Sequence, residues 1–82
     1  MERMTVQEIA EAVQGQIEFG IPRAQVTGVS IDSRVINKGD LFIAIKGQRF
    51  DGHDFIKSAV ENGAVCVLSE KEIHPLENCS VI

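Results

Sequence analysis

Two short polar clusters carry most of the chemistry available to this 82-residue chain: Asp32-Ser33-Arg34, and Lys46-Gly47-Gln48-Arg49 with Phe50 behind it. Both present hydrogen-bond donors and cations, and Gly47 lets a bound group approach the backbone N–H closely. That combination suits an anionic or polyhydroxylated small molecule better than a metal or a nucleophilic reaction. Ser33 reads as a donor to such a ligand, Lys46 and Arg49 as its charge, and Gln48 as a directional amide. Asp32 is a candidate structural acceptor, for loop N–H groups or for Arg34 or Arg49. The bland alternative is that Lys46 and Arg49 are solvated charges at a turn, because the phosphate-loop pattern Gly-x-x-x-x-Gly-Lys-Ser/Thr is absent.

His53 invites two further readings. Paired with Ser33 it suggests a minimal hydrolase, and with Asp51 and Asp54 it suggests half of a metal site. The sequence has no Gly-x-Ser-x-Gly elbow for the first and nothing that completes the second. A histidine at a helix start more simply caps or fixes a loop, and no catalytic or metal-ligating residue is expected in the chain. His74, beside Pro75, reads as surface. Phe42, Phe50 and Phe55 read as core or pocket wall, with Phe50 the one freest to touch a ligand.

The elements that must position these residues follow from periodicity. Thr5-Val6-Gln7-Glu8 matches a capping box, Val6, Ile9, Ala10 and Val13 follow at helical spacing, and Gly15 offers a stop. Residues 16–19 alternate as a short strand, Gly20-Ile21-Pro22 turns, and residues 25–31 read as one strand ending at Asp32. Residues 41–45 and 64–68 are nearly continuous apolar runs, suited to strands covered on both faces. Between them a helix starting at His53 or Asp54 shows Phe55, Ile56, Ala59 and Val60 on one side before Gly63. This predicts a parallel βαβ unit with a right-handed crossover. The fold class expected is α/β, a small mixed sheet with helices on both faces. Residues 70–78 form a charged connector, and Ser80-Val81-Ile82 is an apolar ending that resembles the start of another strand.

Composition narrows the partners. A net charge of -4, four Phe and no Trp or Tyr give neither the field nor the stacking platforms that nucleic acid needs. No run approaches the ~20 apolar residues of a transmembrane span, so neither membrane insertion nor nucleic acid is expected, and a soluble, cytoplasmic chain is. Cys66 and Cys79 read as reduced thiols, Cys66 as a small buried hydrophobe and Cys79 in a polar tail. One reading from another functional class is a stand-alone interaction module whose exposed edge, or apolar ending at Val81 and Ile82, docks a protein.

Three segments taken together are less generic: Gly28-Val29-Ser30-Ile31-Asp32-Ser33-Arg34, Lys38-Gly39-Asp40-Leu41-Phe42-Ile43-Ala44-Ile45-Lys46-Gly47, and Phe50-Asp51-Gly52-His53-Asp54-Phe55. With Ala59 and Gly63-Ala64 they resemble the N-terminal domain of the Mur ligases over nearly the whole chain. The start, Met4-Thr5-Val6-Gln7-Glu8-Ile9-Ala10, and residues 47–55 resemble the D-alanyl-D-alanine-adding branch, MurF, more than the MurE branch that adds the third amino acid.

The resemblance implies the UDP-N-acetylmuramoyl-tripeptide-recognising part of an ATP-dependent, amide-forming ligase of peptidoglycan synthesis. It places Ser33 and the loop Gln48-Arg49-Phe50 on substrate-contacting positions, with Ile31, Arg34 and Lys46-Gly47 beside them. Residues 1–82 would then be a single domain whose partners are that UDP-linked precursor and the remaining domains of the parent ligase. ATP and magnesium are expected in the family's central domain, which this sequence does not contain, so the chain alone is expected to be inactive.

Overall fold

The computed structural model describes residues 3–45, 51–70 and 79–82. The chain is α/β. A four-stranded parallel sheet runs in sequential order through β3 (Gly28–Ser30), β4 (Asp40–Ile43), β5 (Cys66–Leu68) and β6 (Ser80–Val81). A separate antiparallel pair joins β1 (Met4–Thr5) to β2 (Gln25–Val26), with Met4 opposite Val26. Among the described residues there are also two helices, α1 (Val6–Ala12) and α2 (Ile56–Glu61), and 3-10 turns at Ser33–Val35 and Gly52–Phe55.

Alternation along the strands explains why the apolar runs are continuous. Leu41 and Cys66 pack with Val6, Ile9 and Ala10 of α1 on one face. Phe42, Ala44 and Val67 pack with Ile56 and Ala59 of α2 on the other. Successive residues of a strand point to opposite faces, so a strand covered on both sides has no position for a polar residue. In-register pairs Leu41 with Cys66 and Phe42 with Val67 join the two central strands, and α2 lies between them in sequence as a crossover.

The first helix begins as its sequence predicts. The Thr5 hydroxyl accepts from the Glu8 N–H (3.1 Å), and the Glu8 carboxylate accepts from the Thr5 N–H (2.9 Å). Two more N–H groups at that end, Val6 and Gln7, donate to the carbonyls of Ala24 and Pro22. The stop differs from expectation. Gln14, at φ 56°, takes the left-handed conformation, and the Gly15 N–H then donates to the Ala10 carbonyl at 2.8 Å. Gly15 closes the turn that Gln14 makes.

Three other expectations need correction. Residues 25–31 do not form one strand: the chain leaves β2 at Val26 and enters the parallel sheet at Gly28. Thr27 between them donates its N–H to the Gly39 carbonyl at 3.0 Å. The four strands of that sheet pair in parallel and Phe19 adds an antiparallel bridge to β6, which agrees with the small mixed sheet expected. Residues 16–19 are no strand; Phe19 alone makes that bridge, to Val81, and Glu18 N–H donates to the Val81 carbonyl at 2.8 Å. That bridge covers the edge of β6, so the apolar ending is not an exposed docking edge. Val81 and Ile82 are 2% and 6% exposed. Gly20 sits at φ 113° with its α-carbon against Ser80, where a side chain has no room.

Cys79 lies in the core and not in a polar tail. Both cysteines are free and buried, and desolvation of the thiolate pushes Cys66 up to about 12 and Cys79 up to about 11. Both are therefore neutral core thiols. Phe42 is 1% exposed at the centre of the α2 face. Phe42→Ala is expected to cost about 3–5 kcal/mol in chemical denaturation, and Thr5→Ala about 1 kcal/mol through the lost cap.

Candidate functional site

In a parallel sheet the carboxyl ends of the strands are where the chain turns into loops and where ligands collect. Here β3 runs directly into the first polar cluster. Ser30 Oγ accepts from the Asp32 N–H and donates to the Asp32 carbonyl, both at 3.0 Å, which bends the chain out of the sheet. Asp32 then caps the 3-10 turn, its Oδ1 accepting from the Arg34 N–H at 2.9 Å. The Arg34 guanidinium returns to the same carboxylate with Nε and Nη2 at 3.0 and 2.9 Å. Asp32 is thus structural, as its position suggested, and Arg34 holds it while staying open to solvent.

Ser33 is buried in the middle of this turn. Its carbonyl accepts from Asn62 Nδ2 at 2.8 Å, which ties the turn to the end of α2. No described residue hydrogen-bonds its hydroxyl, which lines a cavity of about 280 Å³ together with Ile31, Asp32, Arg34, Phe42, Gly52 and Phe55. The volume is near the lower end for small-molecule sites. Ile31, 65% exposed, and Phe55, 40% exposed, form apolar walls. One free hydroxyl, an apolar wall and a cation at the rim form a surface that can hold a polar, planar or sugar-bearing group by its edge.

Of the predicted site residues, the structure brings Ile31, Ser33 and Arg34 together at this cavity. Lys46, Gly47, Gln48, Arg49 and Phe50 lie outside the described residues, between Ile45 and Asp51. Gly52 and Phe55 line the cavity opposite the Asp32 turn. Phe42 and Phe55, expected as core or pocket wall, line the cavity, and the sequence reading missed only Gly52 among its lining residues. The signal for Gly52 was present in Asp51-Gly52-His53, a turn just before the second helix. Asn62 had no signal, since only tertiary contact brings it to Ser33.

Gly52 has a steric reason. Its N–H donates to the Ile45 carbonyl at 2.7 Å, and a side-chain carbon there would stand 2.7 Å from the Ile45 nitrogen. His53 has both ring nitrogens engaged, Nδ1 with Asp51 Oδ1 at 2.5 Å and Nε2 with the Glu70 N–H at 3.1 Å. It is a loop-fixing residue, as its position suggested. With no free nitrogen it is neither a base for Ser33 nor a metal ligand, which removes the hydrolase reading.

A larger cavity of about 740 Å³ opens over the carboxyl ends of β4, β5 and β6, lined by Phe19, Leu68 and Val81 among others. Its lining includes Glu18 and Glu70 and no cation among the described residues, which disfavours an anionic ligand there.

The bidentate bond from Arg34 holds the Asp32 carboxyl at about 2, below its ordinary 3.8. A depressed carboxylate adds stability above its unfolded value and loses it as pH falls through the folded one. The stability difference between the parent and Asp32→Asn is therefore expected to be level above about pH 5 and to vanish toward about pH 2, read from denaturation at stepped pH. Gly52→Ala forces backbone against backbone and is expected to cost roughly 1–3 kcal/mol in the same assay.

Comparison with known proteins agrees with this architecture. Residues 25–79 match the model of the Mur ligase family, catalytic domain. A UDP-N-acetylmuramoyl-L-alanyl-D-glutamate--2,6-diaminopimelate ligase of Bacillus velezensis is 46% identical over 65 residues, 79% of this chain and 12% of that protein. A UDP-N-acetylmuramoyl-tripeptide--D-alanyl-D-alanine ligase of Bacillus subtilis is 41% identical over 86 residues, spanning 100% of this chain and 18% of that protein. A crystal structure of MurF from Acinetobacter baumannii superposes with a TM-score of 0.86 at 32% identity, over 100% of this chain and 18% of that one. The chain thus spans less than one fifth of the length of these relatives. The match extends over both central strands, the Asp-Ser-Arg turn and the Asp-Gly-His turn, and by it this chain belongs to the Mur ligase family.

Proposed function

We propose that this chain is the domain of a peptidoglycan ligase that recognises the UDP-N-acetylmuramoyl-peptide precursor, in an enzyme of the MurF type that adds D-alanyl-D-alanine. The observation that carries the reading is the cavity at the carboxyl end of β3, lined by Ser33, whose hydroxyl has no hydrogen-bond partner among the described residues, and by Arg34. A nucleoside diphosphate needs donors and cations for its phosphates and a flat apolar wall for its base. Phe55 and Ile31 fit the second need at the cavity and Phe50 is assigned to it as well, while Ser33, Arg34, Lys46, Gln48 and Arg49, with the Gly47 N–H, are assigned to donor and cation roles.

The MurF assignment is supported by a relative and a solved structure of that type, each spanning this whole chain. The second reading is a MurE-type ligase, favoured by the higher identity of the diaminopimelate-adding relative over a shorter stretch.

ATP and magnesium do not fit the residues of this chain. The sequence contains no Gly-x-x-x-x-Gly-Lys-Ser/Thr loop, and among the described residues no group of three or more His, Cys, Asp or Glu could hold a metal ion. We assign that chemistry, and the joining of the amide bond, to other domains of the parent ligase. The role of this chain is to bind and orient the UDP end, so its variants act on substrate affinity before they act on turnover. The parent ligase is assigned to the cytoplasm, where no membrane insertion and no nucleic acid enter its function; no helix among the described residues is long and apolar enough to cross a membrane.

Arg49→Ala and Ser33→Ala are each expected to raise KM for UDP-N-acetylmuramoyl-tripeptide in the full-length ligase by about tenfold, with kcat little changed. Isothermal titration with the same precursor, with UDP as the control, checks the loss directly. An unchanged KM in both variants would sink the assignment. Comparing D-alanyl-D-alanine with diaminopimelate as the incoming amine separates the MurF and MurE readings.

A further inference from the structure

His53 makes two hydrogen bonds at the carboxyl end of the sheet, one within its own turn and one across to Glu70. Its ring is 6% exposed. Nε2 faces the backbone N–H of Glu70 at 3.1 Å, and a peptide N–H can only donate, so Nε2 must carry a lone pair. The ring is therefore neutral with its proton on Nδ1, directed at the Asp51 carboxylate. Asp51 and His53 follow β4, and Glu70 follows β5, so the ring joins the exits of two adjacent parallel strands. Gly52 and Phe55, on either side of His53 in sequence, line the Ser33 cavity, while Glu70 lines the larger cavity. One imidazole thus connects the walls of both.

We propose that His53 is a positioning residue for the precursor site. As the neutral Nδ1–H tautomer it latches the loop after β4 to the loop after β5, and so holds Gly52 and Phe55 in place as the cavity wall. This role rests on the reading of the cavity as the precursor site. The bond that matters is the one to Glu70, because the Asp51 bond stays within a single turn and closes no distance between strands. A latch of this kind fixes geometry without touching the substrate.

The side chains that separate the two bonds are asparagine and glutamine. An Asn amide is long enough to donate to Asp51 but too short to reach Glu70, whereas a Gln amide extends to about the place of Nε2 and its oxygen accepts there. In the full-length ligase, His53→Asn is expected to raise KM for UDP-N-acetylmuramoyl-tripeptide about tenfold with kcat within about twofold, and His53→Gln to stay within about threefold of the parent. Thermal denaturation of each variant sets an assay temperature at which all are folded.

If Arg49→Ala raises KM while His53→Asn does not, the latch is wrong and the reading of the site stands. If neither Arg49→Ala nor Ser33→Ala changes KM, the reading of the site falls and the latch falls with it. Equal increases in the Asn and Gln variants would overturn the role given to the Glu70 bond. Independently of any substrate, 15N spectra of the two histidines of this chain at neutral pH are expected to show His53 protonated at Nδ1 and bare at Nε2. The opposite tautomer, or an imidazolium, would overturn the latch.

Discussion

Burial of β4 and β5 on both faces is the constraint from which the rest of the structure follows. A strand between two layers cannot expose its backbone to water on either side, so each peptide group must be paired laterally. Leu41–Ile43 find those partners in β3 and β5, and Cys66–Leu68 in β4 and β6. Four short strands are thereby held parallel and in sequential order. Two apolar layers, one centred on Phe42 and the other on Val6 and Val26, keep them there.

That arrangement gathers the polar chemistry at one end. With all four strands running the same way, every loop that leaves a carboxyl end starts from the same edge, and the apolar interior of the strands leaves loop residues as the polar material there. Two of the described turns there are locally closed. Asp32 folds Ser33 and Arg34 into a 3-10 turn, and Asp51 does the same for Gly52 and His53, its Oδ1 accepting from the His53 N–H at 3.0 Å. The same device, an aspartate accepting from the N–H two residues on, is used after β3 and before α2. The Asp32 and Asp51 carboxylates are thus engaged in shaping turns, and Ser33 lines the cavity beside the first of them.

Membership of the Mur ligase family and the physical reading of the cavity support each other without being the same observation. The matched span, residues 25–79, contains many residues with structural work: Asp40 accepts from the Asn37 N–H, Gly52 fits against Ile45, and the Leu41-Phe42-Ile43 run packs into both cores. A domain that keeps these keeps the geometry of its strand ends. Which ligand that geometry serves depends on the loops at those strand ends.

The chain by itself determined its α/β class, the capped first helix, the parallel unit around α2 and the turn residues at Asp32 and Asp51. These depend on periodicity and on hydrogen bonds that reach three or four residues, and such interactions are written locally. The break of residues 25–31 between two sheets was not legible, because β-propensity runs unbroken through it and only pairing with different partners divides it. Nor was the burial of Cys79, Val81 and Ile82: Cys79 enters the cluster around Phe42, Ile82 the cluster around Val6, and Phe19 returns to bridge Val81. The meeting of Ser33 with Asn62, and of His53 with Glu70, was decided by tertiary structure alone. Those pairs are 29 and 17 residues apart and come together only once the helix and strands between them have packed.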